Sequence, residues 1–94
     1  MKKFNNMAEL ADALGLSIER GELAEHKAKL TKEIVKAIGN QGLTHQELSD
    51  LSGIPRSAIT GIIYGSLQKV TLDRLVRILY SLGLRVEMRV KVAA

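Results

Sequence analysis

The side chains best suited to recognition chemistry lie close together in the segment "IPRSAITGIIYG". At helical spacing, one face of this segment carries small or polar residues: Arg56, Ser57, Thr60, Gly61 and, near its end, Tyr64. An arginine guanidinium can pair with the two acceptors that guanine presents in the major groove, and a Ser or Thr hydroxyl can donate, accept or touch a thymine methyl. The pattern therefore predicts a helix that could read base edges of duplex DNA. Tyr64 could contact phosphate, stack, or close the protein core.

The residues just before this helix, "THQELSDLSG", predict a second short helix. Thr44 and Glu47 have the spacing of a capping box, and Gly53 permits the positive φ of a sharp turn. Pro55 has a φ that suits the start of the next helix. We expect five apolar residues to point inward and hold the two helices together: Leu48, Leu51, Ile54, Ile59 and Ile62. Residues 44–65 thus have the pattern of a helix-turn-helix.

This pattern alone leaves a second interpretation open. Two helices joined by a short turn also occur in helical proteins that never bind DNA. The alternative is a protein-interaction module in which the helix pair serves only as packing.

The remaining helices follow from caps and apolar periodicity. Asn6 and Glu9 predict a short helix over residues 7–14. Ser17 could cap a longer, lysine-rich helix that ends at Gly39 and Asn40, and Thr71 begins a helix that runs toward Gly83. The apolar stripe of this last helix consists of Leu72, Leu75, Val76, Leu79 and Leu82. We therefore predict a mainly α protein with a single domain over residues 1–94.

The final segment changes period, and in "LRVEMRVKV" apolar and charged residues alternate strictly. This alternation predicts a β-strand over residues 84–92 with one apolar face: Leu84, Val86, Met88, Val90 and Val92. A lone strand leaves backbone groups unpaired, so the simplest partner is the same strand of a second chain. The segment is thus a candidate dimerisation strand in a homodimer.

Composition excludes several other functions. The 94 residues include no cysteine and only 3% aromatics, which argues against disulfides, thiolate metal sites and base-stacking platforms. His26 and His45 lack ligand spacing, and Ser66 lacks a nucleophile-elbow pattern, so no metal, cofactor or enzymatic activity is expected. The formal charge of +4 is compatible with a phosphate-bearing partner. With neither a membrane span nor a signal peptide in the sequence, we expect a cytoplasmic protein.

The segment "LTHQELSDLSGIPRSAITGIIYG" resembles the helix-turn-helix of XRE-type repressors, a five-helix DNA-binding fold like that of lambda repressor. This resemblance covers roughly residues 30–82. Beyond it, "LADALGL" and "LDRLVRILYSLGLRVEMRV" resemble the HigA-type antitoxin branch. The resemblance implies a dimer that represses its own operon and neutralises a ribonuclease toxin encoded beside it. Free-standing transcriptional regulators share these features, so a regulator without a toxin remains the alternative.

The resemblance also suggests roles for individual residues. His45 stands where relatives often have a glutamine that touches phosphate and base edges, and Arg56, Ser57, Thr60 and Gly61 stand on the base-reading face. Ser66 and Lys69 lie in the loop that usually meets the DNA backbone. Pro55 departs from the usual Ser or Thr cap, and Gly61 offers no side chain for readout.

The N-terminal extension, residues 1–21, is not needed for a helix-turn-helix. An apolar surface could be formed by Leu10, Leu14, Leu16 and Ile18. The acidic residues from Glu9 to Glu25 make this end locally acidic. Such a surface would suit a small basic protein partner. It could equally pack over the protein's own core.

Overall fold

The computed structural model describes residues 18–92, with side chains from residue 21 onward. Within this range there are four α-helices: α1 Ile18–Gln41, α2 His45–Ser52, α3 Arg56–Ile63 and α4 Leu72–Ser81. The predicted mainly α class is therefore confirmed. The helix predicted over residues 7–14 and the proposed cap at Ser17 lie outside the described residues.

The helices enclose one aliphatic core. α1 packs against α3 and α4, and α2 packs against α3 and α4. The buried apolar residues come from all four helices and the turns beside them: Ile34, Ala37, Leu48, Ile54, Ile59, Ile62, Leu75, Ile78, Leu79 and Leu82. Because every helix contributes to this cluster, the orientation of α3 is set by the whole domain and not by α2 alone.

Two predicted caps are confirmed. The Thr44 hydroxyl accepts from the backbone N–H of Glu47 at 3.0 Å, and the Glu47 carboxylate accepts from the N–H of Thr44 at 3.0 Å. The Thr71 hydroxyl accepts from the N–H of Arg74 at 3.2 Å. Each cap satisfies helix N-terminal amides that have no partner inside the helix. These bonds define where α2 and α4 begin.

The inward position predicted for Leu51 is wrong, since this side chain is 58% exposed. The inward face of α2 is formed by positions 45, 48, 49 and 52, which are spaced as one helical stripe. Leu51 lies more than a quarter turn away from the middle of that stripe. Small serines at 49 and 52 occupy the contact that a leucine was expected to fill.

Residues 84–92 follow α4 without regular secondary structure, and no strand occurs in the part of the chain that is described. The N–H of Leu84 donates to the carbonyl of Leu79 at 3.0 Å, whereas 85–92 make no backbone–backbone hydrogen bond with described residues. Val86 packs against the core, but Met88, Val90 and Val92 are 79%, 97% and 92% exposed. Pairing across a dimer needs a second chain, so the strand stays a prediction.

None of the described helices is both long and apolar enough to cross a bilayer.

Candidate nucleic-acid interface

The turn between α2 and α3 is held by short hydrogen bonds around Gly53. This glycine has φ +74°, and its N–H donates to the carbonyl of Ser49 at 2.9 Å. The Ser49 hydroxyl in turn donates to the carbonyl of Ile54 at 2.6 Å. The Ser52 hydroxyl donates to the Leu48 carbonyl at 2.8 Å and accepts from the N–H of Ile54 at 3.2 Å. These bonds fix the direction in which the chain enters α3.

Ser49 and Ser52 are therefore turn-forming residues, a role that the sequence analysis missed. Serine side chains near a helix end or turn often bond to nearby backbone groups, so the position of Ser52 directly before Gly53 carried a usable signal.

α3 is anchored on one side and open on the other. Ile59 and Ile62 are each 1% exposed and fasten the helix to the core. No side chain caps its N-terminus, where the carbonyl of Pro55 accepts from the N–H groups of Ala58 and Ile59 at 3.0 and 3.1 Å. The opposite face is turned away from the core. This arrangement leaves one face of α3 uncovered by the described residues.

The predicted base-reading residues lie on that open face. Arg56 and Ser57 are exposed, and Thr60 and Gly61 are partly exposed. Tyr64 is 79% exposed, so it does not close the core and is free to contact phosphate or stack. Each residue of this face is small or polar, so a major groove could admit the helix without steric conflict.

His45 is joined to this face by a hydrogen bond that no local sequence pattern predicts. Its Nδ1 lies 2.9 Å from the hydroxyl oxygen of Thr60, and the two groups share a partly buried hydrogen bond whose donor depends on the imidazole tautomer. The bond links the first turn of α2 to the middle of α3. His45 is therefore brought together with the predicted contact residues, although it precedes Thr60 by 15 positions.

The loop after α3 presents the remaining candidates. Ser66 and Lys69 are both exposed, and the N–H of Ser66 donates to the carbonyl of Gly61 at 2.9 Å. From α1, the Lys27 ammonium donates to the carbonyl of Leu67 at 3.4 Å. These contacts keep the loop beside the C-terminal end of α3, where Lys69 could meet a phosphate.

In the described part of the chain, no three His, Asp or Glu side chains are grouped so that they could hold a metal ion. The surface around α3 carries hydrogen-bonding groups and charged side chains, which proteins use to contact nucleic acid.

Comparison with known proteins agrees with this geometry. A family model described as a helix-turn-helix domain matches residues 14–91, which is most of the chain, and the protein belongs to this family. The family and the open recognition helix together define its class as a DNA-binding regulator. No curated protein and no solved structure matches the chain.

Proposed function

We propose that the protein is a cytoplasmic, sequence-specific transcriptional repressor that inserts α3 into the major groove of operator DNA as a homodimer. The observation that carries this proposal is the division of α3 into an anchored face and an open face. The open face bears Arg56, Ser57 and Thr60, whose groups match the donors, acceptors and methyls of base edges. The protein acts by binding, without catalysis.

The position of Arg56 supports this function. It is the first residue of α3, where the helix dipole disfavours a positive charge, and the first turn contains no acidic residue to offset it. An arginine here lowers helix stability by a few tenths of a kcal/mol. The unfavourable position is explained if the guanidinium contributes to guanine recognition.

Phosphate contacts would come from the flanks of α3. Lys69 supplies a cation in the following loop, and Ser66 and Tyr64 supply hydroxyls. Such contacts fix the register of a protein on the duplex but carry no sequence information. Arg56 and Thr60 would then read bases, whereas these three groups would hold the helix in place.

A homodimer is supported by the tail after α4. Residues 85–92 leave their backbone groups without backbone partners among the described residues, and Met88, Val90 and Val92 are exposed apolar side chains. Part of this tail lines a cavity of about 310 Å³ together with residues of α1 and α4. An antiparallel pair formed by two tails would satisfy the backbone groups and cover the apolar face.

The DNA-binding proposal is tested by selecting duplexes from a random pool and titrating the selected site. Arg56→Ala should weaken binding by about 1–3 kcal/mol and relax preference at one base pair. Arg77→Ala is the matched control, because this exposed arginine lies on α4, which does not pack against α3. Equal binding by the wild type and Arg56→Ala on the selected site would contradict the proposal.

The dimer is tested by sedimentation of Val90→Asp. The change should give monomers because a buried unpaired carboxylate costs several kcal/mol, while the 97% exposure of Val90 in the single chain makes it harmless to the monomer. Lys91→Asp places the same group on the other side of the tail and should leave the dimer intact. If Val90→Asp sediments as the wild type does, the interface lies elsewhere.

We further propose that the repressor is an antitoxin of the HigA type, with a small basic ribonuclease toxin as its partner. The resemblance of the chain to that branch and the acidic residues near its N-terminal end support this assignment. Co-expression with the adjacent reading frame tests it. If no complex purifies and the neighbour is harmless when expressed alone, a free-standing regulator is the correct reading.

A further inference from the structure

The bond between Thr60 and His45 bears on how Thr60 can read DNA. A free threonine in a recognition helix could use either its hydroxyl or its methyl. Here the hydroxyl oxygen lies 2.9 Å from Nδ1 of His45, in a partly buried position between α2 and α3. Whichever atom donates, the oxygen is directed toward α2.

This contact also orients the methyl group of Thr60. The oxygen and the methyl are both attached to Cβ at a near-tetrahedral angle, and β-branched side chains are restricted about χ1 in helices. Turning the hydroxyl into a groove would break the bond to His45. The methyl is therefore the γ group that Thr60 can offer without losing an interaction.

Space beside Thr60 favours an apolar contact as well. The next residue, Gly61, has no side chain, and a Cβ built there would meet only the Cβ of Ser66, at 4.0 Å, among the described residues. The C5 methyl of thymine is the apolar group of the major groove, and threonine methyls are suited to contact it.

We propose that Thr60 recognises a thymine through its methyl group, with His45 as the residue that positions it. This inference depends on the proposed DNA-binding function and specifies part of the sequence that α3 reads. Ser57, which lies one turn earlier and makes no hydrogen bond through its side chain within the described region, keeps its hydroxyl for polar base edges.

The test compares the selected site with copies in which single thymines are replaced by uracil, which removes only the methyl. At one position, uracil should weaken wild-type binding about fourfold per half-site, the value of one buried methyl-sized group. Thr60→Val carries a methyl at both γ positions and has one strongly preferred rotamer in a helix, so it presents a methyl without the bond to His45 and should keep this ratio. Thr60→Ser loses the methyl and should bind the thymine site and its uracil copy equally.

The positioning role of His45 has its own readout. His45→Ala should reduce the thymine-to-uracil ratio toward one, and His45→Asn should restore it, because asparagine carries a hydrogen-bonding atom at the δ position. The ratio is measured within each variant, so partial loss of folded protein does not affect it.

The outcomes separate the two proposals. If the wild type selects no sequence, both the DNA-binding function and the thymine assignment are overturned. A selected site that lacks thymine, or that tolerates uracil at every thymine, overturns the thymine assignment alone. If Thr60→Ser keeps the wild-type thymine-to-uracil ratio, the thymine assignment is also overturned. If His45→Ala keeps that ratio, His45 does not position Thr60.

Discussion

Replacement of Gly61 by alanine should stabilise the protein and weaken its binding to DNA. Gly61 is the third residue from the end of α3 and does not have a positive φ. A Cβ there would lie 4.0 Å from the Cβ of Ser66, an ordinary contact distance. Glycine in a helix costs about 0.5–1 kcal/mol relative to alanine. Nothing in the described packing accounts for that cost.

The expected gain of about 0.5–1 kcal/mol corresponds to a rise in Tm of a few degrees for a domain of this size. Gly39→Ala is a matched control, since Gly39 is also the third residue from the end of its helix and its Cβ would meet nothing within 4 Å. It should raise Tm and leave DNA binding unchanged. Gly53→Ala should instead lower Tm, because alanine is strained at φ +74°.

DNA binding should distinguish Gly61→Ala from its control Gly39→Ala, because only Gly61→Ala should lose affinity. An added methyl on the face that enters the groove overpacks a close contact, at a cost of about 1–3 kcal/mol, or roughly 5- to 150-fold in affinity. Thermal denaturation and fluorescence titration of one protein preparation measure both effects. A lower Tm for Gly61→Ala would refute the packing argument. Unchanged affinity would show that Gly61 lies outside the DNA interface.

Three further changes test other parts of the structure. Thr31→Val should raise stability by about 1 kcal/mol in thermal denaturation, because the buried Thr31 hydroxyl has no hydrogen-bond partner among the described residues. A loss of stability would mean that this hydroxyl bonds to a group outside the described residues. Ser49→Ala should lower stability by about 1–3 kcal/mol, since the Ile54 carbonyl loses its donor, and an unchanged Tm would show that the bond contributes nothing. Lys69→Ala should weaken binding to all duplexes alike, and the slope of log affinity against log salt concentration should become shallower by about one unit per half-site. An altered sequence preference would instead make Lys69 a base-reading residue.

Local chemistry made much of the fold predictable. The capping box of Thr44 and Glu47 and the cap at Thr71 were read correctly, because each depends on residues three positions apart. Gly53 was likewise recognised as the turn residue, since a positive φ is accessible mainly to glycine. The open face of α3 was found for the same reason, because helical periodicity separates Arg56 and Thr60 from Ile59 and Ile62.

Features that join distant parts of the chain were not predictable in this way. Leu51 was expected inside because it lies three residues after Leu48, but the direction of the inward face of α2 depends on where α3 and α4 pack. The bond from Lys27 to the loop after α3 likewise depends on how α1 is placed beside that loop. Local periodicity predicts neither the exposed position of Leu51 nor the bond of Lys27.

The sequence by itself determined where α2 and α4 begin, the turn at Gly53 and the polar side chains on the open face of α3, since each follows from interactions within a few residues. The end of α1 was not determined in this way, because the helix continues past Gly39 to Gln41. Only the tertiary structure decided that Tyr64 is exposed and that the Thr60 hydroxyl is held by His45. Both depend on how whole helices are placed against one another. That placement is set by burial of the shared core, which acts on all four helices together, whereas the apolar pattern of one helix shows only which of its faces is buried.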